Sequence, residues 1–227
     1  MPRKVATHPA SSKRHFQNES SGDGKKLRTR ALLLDTAISV IARKGIEAAS
    51  VLEITEAAGL ANGSFYYHFP SKDALVEAVG GAVAATLVRD TDQAMPDLVE
   101  GTDRVAAGTV YFIRRGVADP SWGRLIVHAL AEMGEFREQI SAGIRKDVQI
   151  GVDQGHFDVR PSSALHAMLL GIVSASMREW LEDPGVEGLD QMAAQAILRV
   201  LGVSPKQAET LSRRAVQRVV AVTASTA

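Results

Sequence analysis

The chain has 227 residues, no cysteine, and 26 basic against 26 acidic side chains. That length can bury a full core in one large or two small domains, and the lack of cysteine excludes disulfides, thiolate zinc sites and thiol catalysis. No apolar run is long enough to cross a bilayer and no signal-peptide pattern appears, so the expectation is a soluble, cytoplasmic protein with no membrane partner.

The zero net charge conceals an asymmetry. Residues 1–72 hold 11 Lys+Arg against 6 Asp+Glu, and residues 73–227 hold 15 against 20. An electropositive end on an acidic body suits a protein that presents one face to phosphates. Residues 1–24, rich in Ser, Lys, Arg and His with no periodic apolar face, read as a disordered basic tail. A merely solvated tail and a basic arm that follows the DNA backbone or minor groove both fit it.

From about Lys26 to Lys44 the sequence is helical. Leu34, Ala37, Ile38 and Ile41 recur at one helix face, and Gly45 follows a basic last turn. Ser50-Val51-Leu52-Glu53 reads as a capping box, in which the Ser hydroxyl takes one free N–H and the Glu carboxylate reaches back to another. Ile54, Ala57 and Ala58 supply the short helix's apolar face, and Gly59 is its left-handed stop. Asn62 is then expected as the N-cap of a second short helix through Phe69, ended by Pro70 because the residue before a proline avoids the α region. Four of the eleven aromatic residues of the chain fall within positions 65–69. Two short helices around a glycine turn form a helix-turn-helix, whose second helix fits a DNA major groove.

The segment from about Arg30 to Leu75 resembles the DNA-binding domain of the tetracycline-repressor-like (TetR) family of bacterial transcription regulators. The matching residues are Ala42-Arg43-Lys44-Gly45, Ser50-Val51-Leu52-Glu53-Ile54, Ala57-Ala58-Gly59-Leu60 and Tyr66-Tyr67-His68-Phe69-Pro70-Ser71-Lys72. The resemblance places Tyr66, His68 and Lys72 at phosphate-contacting positions, with Ser50 adding its hydroxyl. It places Asn62, Gly63, Ser64 and Tyr67 on the groove-facing side. Asn62 is suited to a bidentate contact with adenine, Gly63 allows close approach, and Phe65 and Phe69 face inward.

Ser71 is expected to cap a long helix reaching about Ala94, with Lys72 at an N-terminus that already favours an anion. Beyond residue 100 the pattern is helical throughout, over approximately 102–118, 121–133, 135–154, 162–182, 188–201 and 205–221, with no β signal. Phe112, Trp122, Met133 and Phe136 are candidates for lining a ligand pocket, ordinary core being the plainer reading of each. Arg124, His128 and Glu132 are candidate polar groups in it. On 162–182, Ala164, Ala167, Gly171 and Ala175 form a stripe of small residues that permits close helix approach. With Met192, Ala193, Ala196, Ile197 and Val200 on the next helix, they are the expected homodimer surface, built as a four-helix bundle.

Catalytic signatures are missing: there is no His-Glu-x-x-His run, no phosphate-binding glycine loop and no nucleophile elbow. The expectation is an all-α protein that is not an enzyme and uses no cofactor or metal. Its helix-turn-helix domain spans 25–72, and a larger helical domain for effector binding and dimerisation spans 73–227. The resemblance implies a homodimeric regulator, in all a repressor, whose partners are double-stranded operator DNA and a small-molecule effector. A helical ligand-binding or metal-dependent protein with a vestigial helix-turn-helix is the competing reading.

Overall fold

Helices account for every regular element among the described residues, 24–225, of the computed structural model. The basic-tail reading therefore falls outside the described residues, apart from Gly24. The chain divides between Val76 and Glu77 into two units. The first contains α1 (Lys25–Lys44), α2 (Val51–Ala57), α3 (Asn62–His68) and the first turn of α4 (Lys72–Ala94).

In the first unit α1 provides the support. The residues it buries completely are Leu33, Ala37 and Val40, flanked by Leu34, Ile38 and Ile41, so its apolar stripe is wider than the one read from the sequence. A helix that meets both α2 and α3 must cover more than a 100° sector. Ile54, Phe65, Phe69 and Leu75 close this core, each at most 2% exposed. The turn between α2 and α3 is a Schellman motif: Leu60 N–H donates to the Thr55 carbonyl (2.8 Å) and Gly59 N–H to that of Glu56 (3.0 Å). Gly59 stands at φ 66°, a conformation that a Cβ makes unfavourable.

Two local expectations change. Ser50 Oγ accepts from Glu53 N–H at 3.2 Å, but the Glu53 carboxylate pairs with Lys44 Nζ at 2.7 Å instead of reaching back to Ser50. The basic last turn of α1 outcompetes a neutral amide for that carboxylate. The α3 cap is Ala61, not Asn62, and it makes no side-chain capping bond. Asn62 is the first helical residue, with its side chain exposed.

The second unit holds the rest of α4, then α5 (Gly101–Val117), α6 (Pro120–Glu132), α7 (Gly134–Asp153), α8 (Ser163–Glu182), α9 (Leu189–Val200) and α10 (Pro205–Ser225). These bounds lie within a few residues of those expected. Helix α5 is central, packing on α6, α7, α8, α9 and α10, and it buries Val105, Ala106, Ala107, Val110, Ile113 and Gly116 around most of its circumference. Small residues set its closest approaches. A Cβ on Gly101 would stand 2.3 Å from the backbone nitrogen of Gly151 on α7, so only glycine fits there. Arg114 of α5 donates through Nε to the buried Asp190 of α9 at 2.5 Å.

Candidate functional site

Helix α3 has two chemically different sides. Phe65 and Phe69 are buried, with ring centroids 5.8 Å apart, and seat the helix on the unit's core. Tyr66 is 56% exposed and Tyr67 69% exposed. Large aromatic side chains seldom stand so open on the surface of a soluble domain unless something covers them. Asn62 and Gly63 are exposed beside them, and Ser64 is half-buried. A Cβ on Gly63 would meet nothing within 4 Å. The groove-facing residues expected from the sequence therefore lie together on one open face.

Two cations flank α3 along one edge. Lys26 Nζ lies 5.0 Å from the Tyr67 ring centroid, and the Arg30 guanidinium 5.0 Å from that of Phe69. Both are on α1, outside the DNA-contacting positions expected from the sequence. The signal was the i, i+4 spacing of Lys26 and Arg30 in Lys25-Lys26-Leu27-Arg28-Thr29-Arg30, which puts both cations on one helix edge. His68 is half-buried next to them, and its Nδ1 has no hydrogen-bond partner among the described residues. Burial, and then the charges of Lys26 and Arg30, hold its imidazole below the ordinary pKa, so it is neutral near pH 7.

Lys72 is half-buried, and its ammonium donates to the Glu47 carbonyl at 3.0 Å, tying the α1–α2 loop to the start of α4. An ammonium has three donors, so this bond leaves capacity for an anion. Ser71 Oγ caps α4 by accepting from Ala74 N–H at 3.1 Å. Ser50 is exposed at the start of α2.

The second unit holds a half-open cavity of about 110 Å³. Leu87, Val88, Thr91 and Asp92 of α4 form one wall, and Arg104, Val105, Gly108, Thr109 and Phe112 of α5 another. Helix α7 adds Ile140, Gly143, Ile144, Lys146 and Asp147, α8 adds Leu169, Leu170 and Val173, and α9 adds Ile197. Of the pocket residues expected from the sequence, Phe112 alone lines it. Met133 and Phe136 are core, packed where a Cβ on Gly80 would sit 2.4 Å from Met133 Cε and 3.4 Å from Phe136 Cβ. Trp122 is half-buried in the first turn of α6. Arg124, His128 and Glu132 line a separate surface depression between α6 and α8, with Arg178, Leu181 and Glu182. Periodicity identifies an apolar side of a helix but not whether a neighbour fills the space beyond it, which is why the expected pocket residues divide between two separate hollows and the core.

On α8, Ala164, Ala167, Gly171 and Ala175 are all exposed, and Met168 in the same stripe is 57% exposed. Met192, at 62%, and Ala196 continue the open surface on α9, with Val200 half-buried. Ala193 and Ile197 do not belong to it: each is 2% exposed. They lie on the side of α9 that packs inside the subunit, and Ile197 lines the cavity.

Comparison with known proteins matches both units. Residues 33–79 match the model for bacterial regulatory proteins of the tetR family, and residues 100–214 match the tetracyclin repressor-like C-terminal domain. The chain belongs to the TetR family. The family is one of bacterial regulatory proteins. The chain is similar to the nicotine-responsive transcriptional repressor HdnoR of Paenarthrobacter nicotinovorans, with 31% identity over 107 residues, covering 47% of this chain and 50% of HdnoR. It is also similar to the transcriptional repressor KstR2 of Rhodococcus jostii, with 42% identity over 50 residues, 22% of this chain and 24% of KstR2. The matched regions thus span between a quarter and a half of these relatives. Among solved structures, RolR in complex with resorcinol superposes with a TM-score of 0.72 at 25% identity, over 84% of this chain and 95% of RolR. FadR of Bacillus subtilis with stearoyl-CoA superposes at 0.61 and 17% identity, over 77% of this chain and 97% of FadR, a likeness of fold alone. No helix among the described residues is long and apolar enough to cross a membrane.

Proposed function

We propose that this TetR-family regulator is a cytoplasmic repressor that binds a near-palindromic operator as a homodimer and is released by a small-molecule effector. The observation that carries the reading is the face of α3, where Tyr66 and Tyr67 stand exposed over buried Phe65 and Phe69. Residues 25–72 act on DNA, and residues 73–227 bind effector and pair the subunits. Asn62, Gly63, Ser64 and Tyr67 read base edges, and Ser50, Tyr66, His68 and Lys72 hold phosphates, joined by Lys26 and Arg30.

Two-fold symmetry sets recognition helices in successive major grooves, about 34–36 Å apart. The pairing surface is the open stripe of Ala164, Ala167, Met168, Gly171 and Ala175 with Met192 and Ala196. Gly171 supports this, because a Cβ there would meet nothing within 4 Å. Packing within the subunit gives no reason for a helix-interior glycine that is roughly 0.5–1 kcal/mol less stable than alanine. The named relatives HdnoR and KstR2 are repressors, and RolR holds a small ligand, which supports the effector role of the cavity. A ligand there acts through its preference for one state of the larger unit, and a few kcal/mol of preference suffices to empty the operator.

The test is binding-site selection from random DNA with the full chain, followed by anisotropy titrations across salt. A selected palindrome bound with a steep salt dependence is the expected result. Failure to enrich any sequence, together with salt-independent binding, refutes the proposal.

A further inference from the structure

The two threonine hydroxyls of the cavity are one-sided in what they offer. Thr91 Oγ1 donates its proton to the Leu87 carbonyl at 2.7 Å, and Thr109 Oγ1 to that of Val105 at 2.8 Å. Both hydroxyls line the cavity with their hydrogens committed to their own helices, so only lone pairs remain for a ligand. At the polar end, Arg104 Nε donates to Asp147 Oδ1 at 2.6 Å, Nη2 to Asp92 Oδ1 at 2.8 Å and Nη1 to the Leu98 carbonyl at 3.3 Å. Lys146 Nζ reaches Asp92 Oδ2 at 3.4 Å. Each cation is thus met by a carboxylate, and the four charges sum to zero.

Depth sorts these charges. The side chains of Arg104 and Asp147 are 14% and 17% exposed, and those of Lys146 and Asp92 are 59% and 45%. The outer pair therefore forms the rim and the inner pair reaches the chamber. Asp147 Oδ2 accepts no hydrogen bond among the described residues. Burial raises the pKa of Asp147 against the lowering effect of Arg104, so its carboxylate is poorly solvated and stabilised by any donor brought to it.

Size narrows the class further. The cavity, about 110 Å³, is on the scale of an aliphatic-lined cavity of roughly 150 Å³ that takes up one benzene ring. Aliphatic side chains and Phe112 supply its remaining walls.

We infer that the effector of this cavity is a single-ring molecule carrying hydroxyl or amino donors and no negative charge, with its donors on Asp147 Oδ2 and the Thr91 and Thr109 oxygens. The inference rests on the effector-binding reading above and goes beyond it by fixing the ligand's chemistry. Carboxylates and phosphates are disfavoured, since no cation in the chamber lacks a carboxylate partner. Ethers of the same ring are disfavoured because they bring no donor to Asp147 Oδ2 or to the threonine oxygens.

The test is calorimetric titration of the full chain, without DNA, with phenol, 1,3-dihydroxybenzene and aniline, against anisole and benzoate. Donor-bearing rings are expected to bind at least about tenfold more tightly than anisole or benzoate, the factor one lost hydrogen bond to a charged group produces. Thr109→Val is expected to reduce that preference. Asp147→Ala is expected to abolish it and to gain benzoate binding, because it frees Arg104 Nε. Should Asp147→Ala not fold, Thr109→Val carries the test. Anisole or benzoate binding as tightly as phenol, an unchanged preference in the variants, or no binding of any probe overturns the inference. DNA binding measured separately on the same preparation reports on the repressor reading, so the two fail by different results.

Discussion

Gly143→Ala and Gly108→Ala should make the protein more stable while closing its cavity. Both glycines sit in helix interiors, Gly108 in α5 and Gly143 in α7, and both line the cavity. A Cβ on Gly108 would have Thr91 Cγ2 as its nearest neighbour at 3.8 Å, and on Gly143 Val88 Cγ2 at 3.7 Å, ordinary contact distances. Alanine gains about 0.8–1 kcal/mol of helix propensity over glycine, and a newly buried methyl adds up to about 0.8 kcal/mol. Each variant should gain about 1–1.5 kcal/mol, raising Tm by roughly 2–5 °C for a chain of this size. Gly101→Ala is the opposing control. Its Cβ would stand 2.3 Å from Gly151 N and 2.4 Å from Gly151 Cα, and backbone cannot move aside as a side-chain tip can. It should lose about 3 kcal/mol. Thermal melts read the stabilities, and calorimetry with phenol reads the cavity, where each added methyl should weaken binding. Destabilisation by Gly143→Ala and Gly108→Ala comparable to that by Gly101→Ala would show that the space is already filled, and the cavity argument would fail.

Lys72→Ala should weaken operator binding evenly across sequences and flatten the salt slope by about one unit, whereas Asn62→Ala should relax preference at one base position by about 1–3 kcal/mol; a lower Tm with an unchanged salt slope would leave Lys72 only its bond to the Glu47 carbonyl. His68 is held below its ordinary pKa by burial and by Lys26 and Arg30, so a phosphate beside it would restore the proton. Operator affinity should then rise as pH falls from about 7.5 to 6, and His68→Gln should flatten that dependence in anisotropy titrations. The sign for stability is opposite: His68 and His166 both have depressed folded pKa values, burial being the first cause of each. Their contribution is complete above the unfolded value of about 6.5 and is lost as pH falls from there through the depressed folded values, which melts of wild type and His166→Gln would register. Met168→Glu with Met192→Glu should yield monomers in light scattering, and a persistent dimer would remove the α8–α9 surface from the proposal. Arg114→Ala strands the carboxylate of Asp190, 2% exposed, at a cost of about 3 kcal/mol, measured by denaturant unfolding.

The fold was legible because its signals are local. The Schellman glycine at 59, Ser50, Ser71 and the proline at 70 each bound a helix through bonds that reach at most a few residues, and spacing between apolar residues marked the long helices. The α3 face was legible for the same reason: a seven-residue helix with Phe65 and Phe69 inside leaves few ways to orient the rest. What escaped depends on distant pieces meeting. Lys26 and Arg30 flank α3 only once α1 is packed beneath it. Arg104 acquires its meaning from Asp92, 12 positions away, and Asp147, 43 away. Ala193 and Ile197 fell on the wrong side of α9 because its apolar arc is wide enough to serve two surfaces, and only the position of α5 decides between them.

Glycines inside helices separate what folding requires from what it does not. Gly101 and Gly123 are crowded by backbone and Gly151 by the Phe157 ring, with atoms within 2.5 Å of where a Cβ would stand; a larger residue there breaks the packing. Gly63, Gly108, Gly143 and Gly171 have ordinary space or open space at that point. None of these four has positive φ, so neither conformation nor packing within the chain calls for glycine. Each nevertheless gives up roughly 0.5–1 kcal/mol relative to alanine. Gly63 is on the open face of α3, Gly108 and Gly143 look into the cavity, and Gly171 lies in the exposed stripe of α8, while Gly134, the first residue of α7, is open as well but stands where the helix-interior cost does not apply. The three surfaces that the repressor proposal assigns to DNA, effector and partner subunit are thus among the places where this chain forgoes stability and keeps room for another molecule.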